Sequence, residues 1–297
     1  MNRRIKTLIA VACAITTSAA APISQASAPQ GPPLYVAERG TAKVYVLGAC
    51  GPGDGKWLTP RIENALAESK ELWREIPTEP MDAKAIAIGD KLGKRDEGSL
   101  FDDLTSVEAK RVLDMAAKLD IKREQLQPMK VWYAARIITF AFYAKAGKPV
   151  SGSGNPELVM SNLAAKQSKP VKAEYSSWEE FTLFFDRMPA AVQKQYLLYS
   201  LDDVEAGPDR GNAGDTACAR GDVGYYEKNA IDFSERYPEL YTTLNANRDK
   251  DWARRIDGFL AAGGTTFILV GINHTIGPDS IQVELRKAGI KARRVVN

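Results

Sequence analysis

The pattern of hydrophobic and polar positions predicts strands near both ends of the chain. Residues 34–37 and 43–47 are short β-prone runs separated by a turn at residues 38–40, an arrangement typical of a hairpin. Residues 265–270 form a continuous β-prone run that ends at Gly271, which indicates a buried strand. Further strands are predicted at residues 71–76, 170–174 and 291–296.

Helical spacing of apolar residues dominates the rest of the chain. Thr105 and Glu108 have the spacing of a capping box, and an apolar stripe at helical spacing follows them. Near the C-terminal end, a second stripe runs from Trp252 to Leu260, and Gly263 ends the pattern. Further helices are predicted from Pro60, after Ser177, after Asp279, and over residues 131–146, 156–167 and 189–203.

The segment at residues 207–215 is rich in glycine and aspartate, and we predict that it is an ordinary surface loop. A calcium-binding loop is the alternative. The segment lacks the ligand spacing that a calcium loop requires.

These elements together predict the fold class. Strands and helices alternate toward the C-terminal end, which favours a sheet covered by helices. We therefore predict an α/β fold with some α+β character, in which helices flank a central β-sheet and form an insertion in the middle of the chain. No internal repeat or second domain is visible, so residues 29–297 are expected to form a single domain.

The first 28 residues predict a secretory signal peptide. Arg3, Arg4 and Lys6 precede an apolar run at residues 7–21, and sites with small residues suitable for cleavage follow. The run is shorter than the roughly 20 residues that cross a hydrocarbon core, which argues against a retained membrane anchor. We expect a periplasmic or secreted protein with no membrane span after the signal is removed.

Charge changes the expectation about partners. The full chain has a formal net charge of +3, and the predicted signal peptide carries three basic and no acidic residues. The mature chain therefore has a formal net charge of zero, and this net charge does not indicate binding to nucleic acid. An unknown protein or peptide is the expected partner.

Two cysteines remain after signal removal. Cys13 leaves with the signal peptide, whereas Cys50 and Cys218 enter an oxidising compartment. An even pair there is typical of a disulfide, but two unrelated buried thiols have the same sequence signature.

His274 is the single histidine in the chain, and it lies just past the strand that ends at Gly271. Polar groups at strand ends reach into clefts, so this placement suits a functional site. A lone histidine, however, is usually structural. Glu75 and Glu174 each end a predicted strand, and the alternative for both is an exposed carboxylate at a sheet edge.

Several familiar sites are excluded. The glycine-rich segment at residues 51–56 has Cys50 and Trp57 where a phosphate-binding loop needs glycine and a hydroxyl residue. No Gly-x-Ser-x-Gly sequence is present for a serine nucleophile. A Cys50–His274 nucleophilic pair is conceivable, but a disulfide at Cys50 would abolish it.

Longer strings resemble the TraB/GumN family, which includes the Tiki proteins. The resemblance is most specific near the C-terminal end and continues weakly across nearly the whole mature chain. The strings that carry it are Arg248-Asp249-x-x-Trp252-Ala253, Gly263-Gly264-Thr265, Val270-Gly271-x-x-His274-x-x-Gly277-Pro278-Asp279, Val44-Tyr45-Val46-Leu47-Gly48 and Leu72-Trp73-Arg74-Glu75.

The resemblance implies a mixed β-sheet flanked by helices and a metal site. In this family two Gly-x-x-His motifs and a glutamate build the site, which is associated in Tiki proteins with metal-dependent peptidase activity. The second motif is intact at His274. The glutamate is carried over to Glu75, with Glu174 a weaker second match, and Arg248 matches an arginine that precedes a family asparagine, where this chain has Asp249.

The first motif is broken in this chain. The string Gly48-Ala49-Cys50-Gly51 places Gly51 where the family has histidine. Glycine offers no side-chain ligand, whereas a hydrolytic metal site typically has three protein ligands and a water. The ligands implied by the resemblance are therefore reduced to His274, Glu75 and Glu174, and the implied catalytic residues are Glu75, His274 and Arg248.

The resemblance also favours a Cys50–Cys218 disulfide. Cys218 falls where relatives tend to have tryptophan, and Cys50 falls inside the broken motif. These coupled departures favour the bonded pair over two free thiols in an oxidising compartment.

Two functions remain open from the sequence. One is a non-catalytic binding or interaction protein with a degenerate hydrolase site and no cofactor. The other is a divergent hydrolase or peptidase that retains His274 and Glu75, with Glu174 or Asp54 as a further ligand, and uses a divalent metal such as Mn, Co or Zn. Both require the strand ends that carry Gly51 and His274 to lie side by side.

Overall fold

A computed structural model describes residues 31–51, 57–147 and 154–296. The predicted signal peptide lies outside these residues, as does Asp54, a further candidate ligand in the glycine-rich segment. The described chain contains a six-stranded sheet with the order β4-β3-β5-β2-β1-β6. The strands are β1 Leu34–Arg39, β2 Ala42–Ala49, β3 Leu72–Arg74, β4 Val171–Ala173, β5 Thr265–Gly271 and β6 Ala292–Arg294.

The sheet is mixed, as the resemblance implied. Strand β1 is antiparallel to both β2 and β6, so the predicted hairpin is confirmed. Its turn contains Gly40 at φ 58°, in the left-handed region that favours glycine. The other pairs, β2 with β5, β5 with β3 and β3 with β4, are all parallel. Four strands therefore present their carboxyl ends along one edge of the sheet.

Thirteen α-helices occur in the described residues, and many lie between strands β3 and β4 or between β4 and β5. The predicted helical middle is therefore confirmed. The helices are α1 Pro60–Glu68, α2 Ala83–Gly93, α3 Ser106–Lys118, α4 Arg123–Leu126, α5 Val131–Lys145, α6 Pro156–Lys166, α7 Trp178–Asp186, α8 Ala190–Glu205, α9 Pro208–Arg220, α10 Val223–Arg236, α11 Pro238–Tyr241, α12 Asn247–Ala262 and α13 Ile281–Lys287.

Local capping signals place several helix starts correctly. The Thr105 hydroxyl accepts the Glu108 amide at 3.3 Å, and the Thr105 amide donates to the Glu108 carboxylate at 2.7 Å. This reciprocal pair satisfies two amides that the first turn of α3 leaves without helical partners. Helix α13 begins one residue later than predicted, because Ser280 rather than Asp279 is its N-cap.

Alternating side chains give the sheet two buried faces. On one face, Leu47 and Phe267 pack with Leu66 of α1 and Met160 of α6. Val46 and Ile268 point to the opposite face, against helices α12 and α13. Because β5 is covered on both sides, its sequence is a continuous β-prone run rather than an alternating one.

The prediction of a surface loop at residues 207–215 is wrong, because helix α9 covers this segment. Pro208 is its first residue. At this position the missing N–H of proline costs no helical hydrogen bond, and the fixed φ of proline suits the helix. Tertiary contacts overcome the weak helix propensity of its glycines. The Tyr226 hydroxyl of α10 donates to the Gly214 carbonyl at 2.7 Å, and Cys218 is buried at the other end.

Within the described part of the chain, no helix is both long enough and apolar enough to cross a membrane.

Candidate functional site

The candidate site lies where parallel strands end. Ala49 of β2 is the register partner of Gly271 of β5, so the chain segments that continue to Gly51 and His274 leave adjacent strand ends. This neighbouring arrangement is the one that the sequence predicted. It follows from parallel pairing, because parallel strands end at the same edge of a sheet.

The two predicted glutamates emerge at the same edge. Arg74, the last residue of β3, pairs with Leu269 of β5 and with Ala173, the last residue of β4. Glu75 and Glu174 directly follow these two strands. The structure therefore brings together the candidate residues Glu75, Glu174 and His274, which are far apart in the sequence.

His274 is held by carboxylates at both ring nitrogens. It lies in a short 3-10 turn, Ile272–His274, and is 5% exposed. Its Nδ1 lies 2.6 Å from Oδ1 of Asp249, which is fully buried, and its Nε2 lies 3.0 Å from Oε1 of Glu75. Asp249 was not recognised as a site residue from the sequence, although its place opposite a family asparagine was visible.

Arg248 lies among these acidic groups. Its Nη2 donates to Glu75 Oε1 at 2.6 Å, and its Nε donates to Glu174 Oε1 at 3.0 Å. Nη2 also donates to the second oxygen of Glu174. Its Nη1 lies 3.1 Å from His274 Nε2. The guanidinium thus bridges both glutamates and contacts the histidine ring.

A backbone amide also donates a hydrogen bond to the carboxylate of Glu75. The Gly271 amide donates to Glu75 Oε2, and its Cα is so close that an added Cβ would lie 3.2 Å from this oxygen. Glycine at this place therefore allows the carboxylate to approach the end of β5. This contact gives the first residue of the intact Gly-x-x-His string a physical role.

A widened helical turn precedes the residues that contact His274. The π-helical turn Thr242–Ala246 connects α11 to α12, and the Asn247 amide donates to the Thr242 carbonyl five residues back. From this turn, Asn245 donates to the Asn273 carbonyl at 3.2 Å. The turn therefore fixes the loop of His274 just ahead of Arg248 and Asp249. Such π-turns are frequent at functional sites.

The network determines the protonation of its members. Burial alone would lower the pKa of His274, but the Glu75 carboxylate and the hydrogen bond to Asp249 raise this pKa to about 9. Burial alone would raise the pKa of Glu75, but the charges of His274 and Arg248 hold it well below its usual value. Burial raises the pKa of Asp249 to about 6, against the effect of His274. At neutral pH the imidazole of His274 is therefore charged, and the carboxylates of Glu75 and Asp249 are ionised.

This arrangement does not fit the metal that the resemblance implied. A metal ligand must be a neutral imidazole with a ring nitrogen directed at the ion. Here Nδ1 faces Asp249, and Nε2 faces Glu75 and Arg248. The guanidinium lies between the two glutamates. Among residues 31–51, 57–147 and 154–296, no group of three or more His, Cys, Asp or Glu side chains is placed to hold a metal ion. The metal roles of His274, Glu75 and Glu174 stay predictions.

The sulfur atoms of Cys50 and Cys218 lie at disulfide distance, with their Cα atoms 6.3 Å apart. This separation is within the usual range for a disulfide. The pair connects the end of β2 to α9, next to Gly51. An added Cβ on Gly51 would lie 3.5 Å from Oδ1 of Asp215, which is also on α9. As a disulfide, Cys50 has no thiolate that could act as a nucleophile with His274.

The fold and the site together define an α/β protein with a charged cluster at the carboxyl ends of parallel strands. The cluster consists of Glu75, Glu174, Arg248, Asp249 and His274. The sequence model described as the TraB/PrgY/gumN family matches residues 33–294, and the chain belongs to that family. No curated protein and no solved structure matches the chain.

Proposed function

We propose that this chain is an exported, non-catalytic member of the TraB/PrgY/gumN family that binds a protein or peptide partner. In this proposal residues 1–28 are a signal peptide, and residues 29–297 form one domain that acts in the periplasm or outside the cell. The observation that carries the proposal is that Gly51 leaves the strand end beside that of His274 without a ligand, while Glu75 and Glu174 are already paired with Arg248. Its guanidinium supplies the positive charge that a metal ion would otherwise supply to Glu75 and Glu174.

Displacing this guanidinium would be costly. The side chains of Arg248, Glu75 and Glu174 are 14%, 15% and 12% exposed, so they form an ion-pair cluster that is largely removed from water. Removing one member of such a cluster leaves charge uncompensated, at a cost of about 3–5 kcal/mol. A metal ion entering here would have to offset that cost with fewer protein ligands than a hydrolytic site has.

The missing first ligand supports the same proposal. Gly51 offers no donor, and the neighbouring Cys50 is tethered to α9 near Asp215. The tether holds this strand end against a helix. The oxidised cysteine pair is also consistent with export.

Metal analysis of the protein without residues 1–28 and without a histidine tag tests the proposal. After exposure to Mn, Co and Zn and removal of excess ion, we expect far less than one equivalent of each, and no hydrolysis of peptide or ester panels. Stoichiometric metal that disappears in His274→Ala would refute the non-catalytic function.

A gain-of-ligand variant tests the correspondence of Gly51 with the family histidine. Gly51→His combined with Arg248→Ala restores an imidazole and removes the competing guanidinium. We expect this double variant to gain Zn affinity. Gly258→His combined with Arg248→Ala is the matched control, because Gly258 has open space around it and lies on α12.

The second candidate is a divergent metal-dependent hydrolase that retains His274 and Glu75. The convergence of Glu75, Glu174 and His274 at one edge favours it. Hydrolysis that depends on added metal and is lost in Glu75→Gln would support this candidate.

A further inference from the structure

A large cavity lies near the charged cluster, and Arg74, which directly precedes Glu75, is part of its wall. The cavity has a volume of about 630 Å³, is partly open to solvent, and is lined by the segment after β3 and by helices α5, α6 and α7. Small-molecule sites typically have about 300–1,000 Å³. Neither the family match nor the charged cluster assigns a role to this cavity.

The walls are largely apolar and aromatic. Phe140, Leu158, Trp178 and Phe181 line them, and Met81 lies near the opening with 43% of its surface exposed. The Trp178 indole donates to the carbonyls of Glu79 and Pro80 at 3.1 and 3.0 Å, which fixes the segment after β3 against α7. Because these bonds hold the segment in place, the cavity is formed before any ligand binds.

One cation in the wall, Arg136, has no acidic partner among the residues that the structure describes. Arg136 stacks near the rings of Phe140, Phe181 and Phe185, with centroid distances of 5.1, 5.3 and 4.8 Å. It forms no ion pair with any side chain of the described residues, and burial lowers its pKa. A partly buried guanidinium without a counter-charge is costly, so a ligand that supplies an anion here would relieve that cost.

The second cation of the wall is Arg74, and its acidic neighbour does not cancel the preference of the cavity for an anion. Arg74 Nε lies 3.7 Å from Glu157 Oε2, and neither atom makes a hydrogen bond among the described residues. Burial and the nearby Glu75 raise the pKa of Glu157 well above its usual value, and even an ionised Glu157 offsets only one of the two guanidinium groups in the wall. The inner wall therefore carries positive charge, and Glu79 is an exposed acidic residue at its rim.

We propose that this cavity binds a small monocarboxylate with an apolar body. The carboxylate pairs with the planar guanidinium of Arg136, which offers two parallel N–H donors. The apolar body lies against Phe140, Trp178 and Phe181. The assignment is independent of the proposed non-catalytic function, because the carboxylate pairs with Arg136 and not with Arg248, Glu75, Glu174 or His274.

Calorimetric titration with octanoate tests the assignment, with octanol and octylammonium as neutral and cationic probes of the same chain length. A charged hydrogen-bonded pair is worth about 1.5–3 kcal/mol, so octanoate should bind about 10-fold or more tightly than octanol. Octylammonium should not bind measurably. Equal affinity for octanoate and octanol, or no binding of octanoate, would overturn the assignment.

Variants locate the site. Arg136→Gln should abolish the preference for octanoate over octanol, whereas Arg136→Lys should keep part of it. The matched control is Arg123→Gln, because Arg123 also stacks on an aromatic ring, that of Phe101 at 4.1 Å, but lies outside the cavity. Thermal unfolding checks that each variant is folded.

A variant that fills part of the cavity tests the assignment even if Arg136→Gln does not fold. Asn162 is exposed and lines the cavity from α6, so Asn162→Trp narrows the cavity without touching Arg136. We expect this variant to lose octanoate binding. Unchanged affinity in a folded Asn162→Trp protein would contradict the assignment.

Discussion

Asp249 Oδ1 lies 2.6 Å from His274 Nδ1, and Asp249 has no exposed surface. Metal-binding histidines often have a carboxylate at one ring nitrogen as well, so the difference in this site is that Glu75 and Arg248 lie against the other nitrogen, Nε2. A buried carboxylate at one ring nitrogen and Glu75 at the other stabilise the imidazolium form, in which both nitrogens carry protons. The site is therefore closed by internal ion pairs.

The variant Asp249→Asn should lower the pKa of His274. Asparagine keeps the shape and can accept a hydrogen bond, but it removes the negative charge that favours the imidazolium. Titration of the His274 ring by NMR measures the effect, and its signal is unambiguous because the chain has one histidine. We expect a pKa near 9 in the wild type, as the buried carboxylates require.

Asp251→Asn is the matched control for this titration. Asp251 lies on the same helix and pairs with Arg254, but both side chains are mostly exposed. It should leave the pKa of His274 unchanged. An Asp249→Asn protein with the wild-type pKa would show that Asp249 does not control the ring.

The stability of the protein should fall between pH 6.5 and 9.5 because of His274. The folded-state pKa, about 9, is above the usual value of about 6.5, so the stabilisation is fully present below pH 6.5 and is lost as the pH rises through 9. The full effect is at most about 3 kcal/mol. Urea unfolding across this range measures it, and the loss should be absent from His274→Gln, which has no titrating group at this position.

Removing the cation of Arg248 should destabilise the fold. Arg248→Met leaves Glu75 and Glu174 close together with no guanidinium between them, so we expect a loss of about 3–5 kcal/mol in the free energy of unfolding. Adding Glu174→Gln to this variant should restore part of the loss, because it removes the like-charge repulsion.

Arg254→Met is the control for Arg248→Met. Its ion pair with Asp251 is exposed, and such pairs contribute about 0–1 kcal/mol. Equal losses in the two methionine variants would contradict the structural importance of the buried cluster.

Reduction of the Cys50–Cys218 pair should lower stability. A bond across 168 residues of sequence separation restricts the unfolded chain, and removing a native disulfide costs about 2–5 kcal/mol. Mass spectrometry of the non-reduced protein should show one linked peptide pair. Dithiothreitol should lower the melting temperature of the wild type but not of the Cys50→Ser/Cys218→Ser protein.

Local sequence patterns predicted the elements whose formation depends on near neighbours. The hairpin of β1 and β2, the cap at Thr105 and the strand β5 all follow from residues a few positions apart. Positions at the ends of predicted strands indicated His274, Glu75 and Glu174 as candidates, and the resemblance added Arg248 and implied a role for each. The segment at residues 207–215 was misread because its glycines weaken helix propensity, and only the packing of α10 and the tether at Cys218 outweigh that weakness.

The sequence by itself determined which residues could form strands and caps, because hydrophobic periodicity and capping act over one or two turns of the chain. Only the tertiary structure decided that Arg248 bridges Glu75 and Glu174 and that Asp249 pairs with His274. These partners are separated by 173, 74 and 25 residues. Their contacts depend on how α12 packs at the edge of the sheet, and burial there sets the strength of each charge interaction.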